Sequence, residues 1–148
     1  MSHFTLQLER AGPIMNAVVT VSRSRAAALK TANKPVPKPV PIRALVDTGA
    51  SCSSVDPDVL AKLSLTPTGV ASLFTSSTGA QPHDCDQYDV GLLIPGPPGA
   101  QPFLKETVPV VAASFFEHHG FHALVGRDVL SSCVLTYNGS MGWFTLAF

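Results

Sequence analysis

The sequence predicts a mainly β fold with two short helices, and three observations favour it. Apolar residues alternate with polar ones along several short segments, which is the pattern of strands that bury one face. Thirteen prolines and eleven glycines are spread along the chain and interrupt helical periodicity. Helix start signals occur at two places only. With 148 residues and no internal repeat, the chain is predicted to form one domain over residues 1–148.

The N-terminal part is predicted to contain two strands and a long exposed loop. HFTLQL alternates Phe4, Leu6 and Leu8 with polar residues, and IMNAVVTVS is rich in β-branched residues. Residues 22–40 are predicted to be an exposed proline-rich insertion, because alternating prolines cannot donate to a sheet ladder. A solvated insertion is preferred over a docking arm, although the segment carries five cations, namely Arg23, Arg25, Lys30, Lys34 and Lys38.

The central part is predicted to form a strand, a helix and a hairpin. IRALVD is a buried strand, and DPDVLAKL is a short helix with Asp56 as its N-cap and Pro57 at its first position. Residues 74–94 are predicted to belong to a β-hairpin whose tip lies near Thr78 and Gly79.

The C-terminal part is predicted to consist mainly of strands. ETVPVVAASF is a strand that Pro109 interrupts, and HALVG is a buried strand that leads into a second short helix. Asp128 is predicted to cap that helix. The last segment is a hairpin that turns at Asn138 and Gly139, and its final strand, GWFTLAF, is apolar enough for a subunit interface or for the core.

Composition and charge argue against several classes of partner. Ten basic residues balance ten acidic ones without forming a basic stripe, so nucleic acid is not expected to bind. The N-terminus does not resemble a signal peptide, and no apolar run approaches the roughly 18 residues of a membrane helix. The three cysteines cannot all pair within one chain, which favours a reducing, cytoplasmic location. The apolar fraction of 45% hints at a subunit interface.

The strongest candidate for chemistry is Asp47, which follows the buried strand in RALVDTGAS. Gly49 lets the chain turn sharply there, and the small residues Ala50 and Ser51 follow. A carboxylate in this position lies at the mouth of a cleft with backbone amides nearby. The alternative is a plain Asx turn at the end of a strand.

A second element, ALVGRDVL, repeats the same order of apolar strand, glycine and short helix. With both motifs in this order, the chain resembles the retropepsin-like aspartic peptidases along nearly its whole length. The resemblance is most specific at Asp47-Thr48-Gly49-Ala50 and around Gly126, Arg127 and Asp128. It implies an acid protease barrel with one lobe per chain. It also implies a homodimer that hydrolyses peptide bonds without a metal or other cofactor.

The resemblance also assigns roles to residues. Asp47 and the partner's Asp47 are expected to form the catalytic dyad, with Thr48 bridging the two chains and Gly49 binding substrate through its backbone. Ala50 and Ser51 are expected to contact substrate. The Ala at position 50 follows the retroviral pattern, so mildly acidic activity is expected. The 74–94 hairpin corresponds to a flap, with contacts from its tip at Ser77, Thr78 and Gly79.

The sequence departs from the family pattern at position 51. Retroviral relatives often carry an acidic residue there that pairs with the arginine of the second motif, whereas this chain has Ser51. Arg127 is therefore expected to be structural and to pair with Asp56, Asp58 or Asp128.

Two other constellations are weaker. Cys52 could act as a nucleophile, but a buried structural thiol is preferred because no cysteine-peptidase signature surrounds it. His118 and His122 would share a face of a helix and could bind a metal, but Gly120 favours a loop. These histidines are expected to be surface groups near the cleft. For the whole chain, the alternative function is a non-proteolytic module that dimerises or binds peptides.

Overall fold

The computed structural model describes residues 1–74 and 80–148, which form ten strands and four helices. The strands are β1 (His3–Gln7), β2 (Ile14–Val21), β3 (Val40–Val46), β4 (Ser54–Val55), β5 (Gly69–Leu73), β6 (His83–Ile94), β7 (Phe103–Ala112), β8 (Ala123–Val125), β9 (Val134–Asn138) and β10 (Trp143–Ala147). The helices are α1 (Arg23–Thr31), α2 (Pro57–Lys62), α3 (Phe116–His119) and α4 (Arg127–Leu130). The predicted mainly β class is confirmed, with four helices instead of two.

Six of the strands close into a barrel. Their hydrogen-bonded order is β2–β3–β8–β4–β7–β6, and β2 also pairs with β6, which completes the ring. Side chains alternate between the inside and the outside, so that Ile42, Ala44 and Val46 of β3 are buried while their neighbours are less so. The apolar residues that alternate along the sequence are therefore those that fill the barrel interior.

Gly91 lies where β2 and β6 approach closely at the closure of the barrel. A β-bulge interrupts the pairing of β6 with β7 between Val90 and Leu92. A Cβ atom on Gly91 would lie 2.3 Å from the Thr20 hydroxyl and 3.2 Å from the Val21 carbonyl oxygen of β2. A side chain at position 91 would therefore displace the Thr20 hydroxyl and crowd the backbone where β2 and β6 approach each other.

Strands β1, β10 and β9 form a separate antiparallel sheet at the chain ends. Ser2 and Phe148 extend it with two backbone hydrogen bonds of 2.8 and 2.9 Å. Phe144 and Leu146 of β10 have no exposed surface, so the terminal strand is a core strand at the centre of its sheet. The free edges belong to β1 and β9.

The 22–40 segment differs from its prediction. It begins with helix α1 instead of an exposed loop, because Ser22 provides an N-cap that accepts from the Arg25 N–H at 3.3 Å. The alanines that follow have the highest helix propensity. The prolines exclude regular structure only after the helix has ended.

Pro109 does not interrupt β7, which continues to Ala112. Strand β4 reaches only Val111 and Ala112 along that edge, so a proline opposite Asp89 is tolerated. None of the helices within residues 1–74 and 80–148 has the length and hydropathy that crossing a bilayer requires.

Candidate functional site

The two sequence motifs meet because their strands are parallel neighbours. Strand β3 pairs with β8 in the register Val46 to Val125. The next residues, Asp47 and Gly126, therefore leave the sheet side by side. The Asp47 N–H donates to the Val125 carbonyl at 3.0 Å, which ties the two exits together.

The Asp47 carboxylate is held in one orientation by its own loop. The Gly49 N–H donates to its Oδ1 at 2.8 Å, and the Ala50 N–H donates to the Asp47 carbonyl at 3.3 Å. The bond from Gly49 is that of an Asx turn. The Asx-turn interpretation and the interpretation of Asp47 as a functional carboxylate therefore describe the same geometry. Asp47 and Ala50 are half-buried, whereas Thr48, Gly49 and Ser51 are exposed.

Arg127 fixes the outer side of this loop. Its guanidinium donates to the carbonyl oxygens of Thr48 at 2.8 Å and Gly49 at 3.2 Å, and its own N–H donates to Ala50 at 2.9 Å. The prediction that it pairs with Asp56, Asp58 or Asp128 is wrong. Three successive loop carbonyls face Arg127, and its several N–H donors suit them better than one carboxylate would.

Asp128 supports the loop from the inner side and does not cap a helix. The N-cap of α4 is Gly126, without a side-chain bond. Asp128 instead accepts from the Ser53 N–H and the Ser53 hydroxyl, each at 2.8 Å. The Ser53 oxygen in turn accepts from the Gly126 N–H at 3.0 Å. Ser53 is buried and needs hydrogen-bond partners, which the Asp128 carboxylate provides.

Ser53 is a positioning residue that the sequence did not reveal. It joins the Asp47 loop to the second motif through three hydrogen bonds, yet it stands among other small polar residues in GASCSS. Nothing in that run distinguishes it from Ser51 or Ser54.

Gly126 permits the close contact between the two motifs. A Cβ atom there would lie 2.8 Å from the carbonyl carbon and oxygen of Cys52, and 3.0 Å from the Ala50 oxygen. These are backbone atoms, so a side chain at position 126 would push the loops apart.

The thiol of Cys52 has the environment of a structural group. Burial raises its pKa, and the nearby Asp128 carboxylate raises it further. A thiol with a raised pKa is mostly protonated near neutral pH and is a poor nucleophile. All three cysteines are free thiols.

The histidine segment lies away from Asp47. His122 precedes β8, so it is at the opposite end of that strand from Gly126, roughly 13 Å away along an extended chain. Its Nδ1 accepts from the Arg43 N–H at 3.2 Å, and its ring stacks on Phe116 with centroids 4.4 Å apart. The prediction that the histidines lie near the cleft is therefore wrong for His122. His118 and His119 lie on the short helix α3, where a loop was predicted, because Gly120 ends it in a left-handed conformation.

A metal centre finds no support in the described part of the chain. There, no three His, Cys, Asp or Glu side chains lie together as metal ligands would.

The predicted hairpin is formed by β5 and β6, and it extends beyond the barrel. Residues His83 to Asp86 of β6 pair with β5 alone, Gln87 pairs with both β5 and β7, and β6 continues along β7 from there. Phe74, after β5, has 69% of its surface exposed. The predicted tip contacts, Ser77, Thr78 and Gly79, lie outside the described residues.

Comparisons with known proteins agree with this geometry. Residues 36–91 match the family model described as Aspartyl protease. The fold is similar to the crystal structure of a retropepsin-like aspartic protease from Rickettsia conorii, with a TM-score of 0.59 and 16% sequence identity. That similarity covers 99% of this chain and 90% of the other. No curated protein sequence matches the chain. The Aspartyl protease match covers the segment that contains Asp47, and the fold along the chain is retropepsin-like.

Proposed function

We propose that this protein is an aspartic endopeptidase that acts as a homodimer, with Asp47 and the partner's Asp47 as its catalytic dyad. The observation that carries the proposal is the position of Asp47. Its carboxylate stands on an outward-facing loop that is supported by Arg127 on one side and by the Ser53–Asp128 network on the other.

The second carboxylate must come from another molecule. Among the described residues, the Asp47 carboxylate has one hydrogen-bond partner, the Gly49 N–H, and no acidic side chain bonds to it. A two-fold dimer supplies the missing group, because a residue on the symmetry axis meets its own copy. The exposed side chain of Thr48 is then available to the partner subunit.

Two carboxylates that face each other share one proton, as in the dyads of aspartic proteases. The ionised carboxylate takes a proton from water, and the water oxygen attacks the scissile carbonyl carbon. The protonated carboxyl donates to the carbonyl oxygen. The tetrahedral intermediate then collapses, the C–N bond breaks, and the amine leaves with a proton.

The surface of the terminal sheet supports pairing of two chains. Tyr137 and Met141 have 59% and 71% of their surface exposed, and Leu6 and Val134 are exposed as well. The chain has no net charge at pH 7, so two copies do not repel each other. We also propose that the protein is cytoplasmic and that it acts on peptide or protein substrates. Ala50, Ser51 and the hairpin tip would contact the substrate.

The substitution Asp47→Asn tests the proposal. It keeps the size and the Gly49 hydrogen bond but removes the acid and base, so cleavage of a peptide library between about pH 4 and 7 should fall by roughly 10²- to 10⁴-fold. The matched control is Asp58→Asn, which neutralises an exposed carboxylate on α2. Full activity in Asp47→Asn would refute the assignment.

A non-proteolytic module is the second candidate, on the ground that a fold does not determine activity. It predicts that the wild-type protein binds peptides or dimerises but cleaves nothing. The same library digest, combined with sedimentation of the wild-type protein, separates the two.

A further inference from the structure

A groove lies between helix α1, the proline-rich segment after it and the end of helix α2. Its volume is about 390 Å³. We call it the α1–α2 groove, and it is lined by Arg25, Leu29, Lys34, Pro35, Val36, Pro37, Lys62, Leu63 and Ser64. None of these residues belongs to the Asp47 loop or to its supports.

Two left-handed turns shape the walls. Asn33 has φ of 52°, and Lys34 then donates its N–H to the Leu29 carbonyl at 2.8 Å, so the chain reverses after α1. Ser64 has φ of 51° and ends α2 through a bond of 2.9 Å to Ala61. Pro35 and Pro37 stiffen the returning segment. The groove is therefore preformed.

The charge of the groove is of one sign. Arg25, Lys34 and Lys62 line it, and no acidic side chain does. Neighbouring Arg23 is occupied by Glu106, at 2.7 and 2.9 Å, which holds the pKa of Arg23 above its ordinary value. Within the described residues, no salt bridge involves the three lining cations. In a chain without net charge, these cations attract a local anionic partner.

The apolar side chains of the groove are recessed. Leu63 is buried, and Leu29 and Val36 are half-buried. A flat membrane surface does not reach them, whereas an inserted side chain does. No aromatic residue lines the groove, so it lacks the stacking platform that single-stranded nucleic acids use.

A second cavity of about 290 Å³ adjoins the groove at Arg25, which lines both. Its other lining residues are Ser22, Ser24, Ala28, Leu65, Thr66, Thr68 and Asp89. An extended chain that occupies the groove can therefore reach a second concave surface beside Arg25.

We propose that the α1–α2 groove binds an acidic peptide segment of another protein. The segment inserts one aliphatic side chain between Leu29, Val36 and Leu63, and its carboxylates lie against Arg25, Lys34 and Lys62. This site is separate from Asp47 and does not depend on proteolysis.

The test uses a fluorescein-labelled peptide of Glu, Asp and Gly residues around one central Leu, with fluorescence anisotropy as the measurement. The protein carries Asp47→Asn throughout, so that the probe stays intact and binding is separated from the proposed activity. The variant Arg25→Glu/Lys34→Glu/Lys62→Glu should weaken binding by at least about tenfold, because three attractive charges become repulsive.

The matched control is Arg10→Glu/Lys30→Glu/Lys38→Glu, which makes the same change of charge at exposed positions outside the groove. It should keep most of the affinity. A probe with Gly in place of Leu should bind the unaltered groove several-fold more weakly, which tests the apolar floor without changing the protein.

Three results would overturn the proposal. They are an absence of binding by the unaltered groove, an equal loss in both charge variants, and groove-dependent binding of phosphatidylserine vesicles or oligonucleotides in preference to the peptide. Circular dichroism of each variant checks that it is folded.

Discussion

At the scale of single residues, the Asp47 loop depends on donors and acceptors from the second motif. Arg127 holds the loop through the Thr48, Gly49 and Ala50 carbonyls, and Ser53 holds it through Asp128. Orientation of a reacting group within a fraction of an ångström is a large part of catalysis. The loop is thus held by residues that lie far from it in the sequence.

Replacement of Arg127 by alanine should loosen the Asp47 loop. Two hydrogen bonds from the guanidinium are lost, so we expect kcat to fall by roughly ten- to a hundredfold, with little change in the free energy of unfolding because Arg127 is exposed. Hydrogen–deuterium exchange of the backbone around residues 47–51 should accelerate, which is a measurement independent of activity.

The control for that experiment is Arg10→Ala, which removes an exposed arginine elsewhere. Arg127→Lys should recover part of the protection, since an ammonium group still donates to one carbonyl. Unchanged exchange in Arg127→Ala would show that the loop is rigid without the guanidinium.

The sequence predicted the candidate site residues more accurately than their contacts. Asp47, Gly126, Arg127 and Asp128 do come together, because the apolar strands before both motifs are adjacent and parallel. The partners of Arg127 were not predictable, since every residue has a backbone carbonyl and the sequence does not show which of them accepts a hydrogen bond. Ser53 was missed for a similar reason, because a serine among serines shows no sign of being buried.

At the scale of elements, helix α2 is tied to the segment before β8 by one carboxylate. Asp56 is buried and accepts from the Asp58 N–H at 3.1 Å, as an N-cap does. It also accepts from the Phe115 and Phe116 N–H groups at 3.1 and 3.3 Å. One side chain therefore satisfies donors at the starts of α2 and α3.

Asp56 should make the stability of the fold sensitive to acid. Burial, the largest effect, works to raise the pKa of Asp56, but the three backbone donors and His122 together outweigh it and lower the pKa. A lowered pKa in the folded state stabilises the protein above the unfolded pKa of about 4, and this contribution is lost as pH falls through the folded value.

Urea unfolding of Asp56→Asn between pH 7 and pH 3 measures this contribution. At pH 7 we expect a loss of about 1–3 kcal/mol, because the charged acceptor of three partly buried hydrogen bonds is removed. The difference from wild type should shrink below about pH 4. Asp58→Asn, on the exposed side of α2, should show a small and nearly constant difference, and a pH-independent difference for Asp56→Asn would contradict the argument.

Most strands and helix α2 were predictable because their patterns are local. Alternation along β2 and β3 and the Asp56-Pro57 start of α2 each occupy fewer than ten residues. Helix α1 was missed because the prolines near it dominated the interpretation, although Ser22 and three successive alanines were a signal for it. The continuity of β7 through Pro109 depends on which edge is free, and only the complete sheet shows that.

At the scale of the whole molecule, one chain provides one half of the proposed active site. The fold is a single lobe with one Asp-Thr-Gly segment, and the sheet of chain ends presents exposed apolar side chains. The proposed activity then requires a dimer. This requirement can be tested by mixing wild-type and variant subunits.

Addition of Asp47→Asn protein to the wild type should inhibit it. If subunits exchange at random, a ninefold excess of the variant leaves about one wild-type subunit in ten with a wild-type partner, so activity per wild-type subunit should fall to about a tenth. The measurement is peptide cleavage after equilibration, at a concentration where sedimentation shows dimers. Activity proportional to the wild-type protein alone would mean that each chain works independently.

The pairing of β1 with β10 has a consequence for biosynthesis. In the described structure, β1 pairs with β10, so all the barrel strands lie between the two partners in the sequence. The barrel strands are complete once β8 has emerged and can close earlier. Contacts between residues far apart in sequence form slowly. During synthesis the barrel can therefore close before β10 is available, and β1 then lacks the partner that it has in the folded chain.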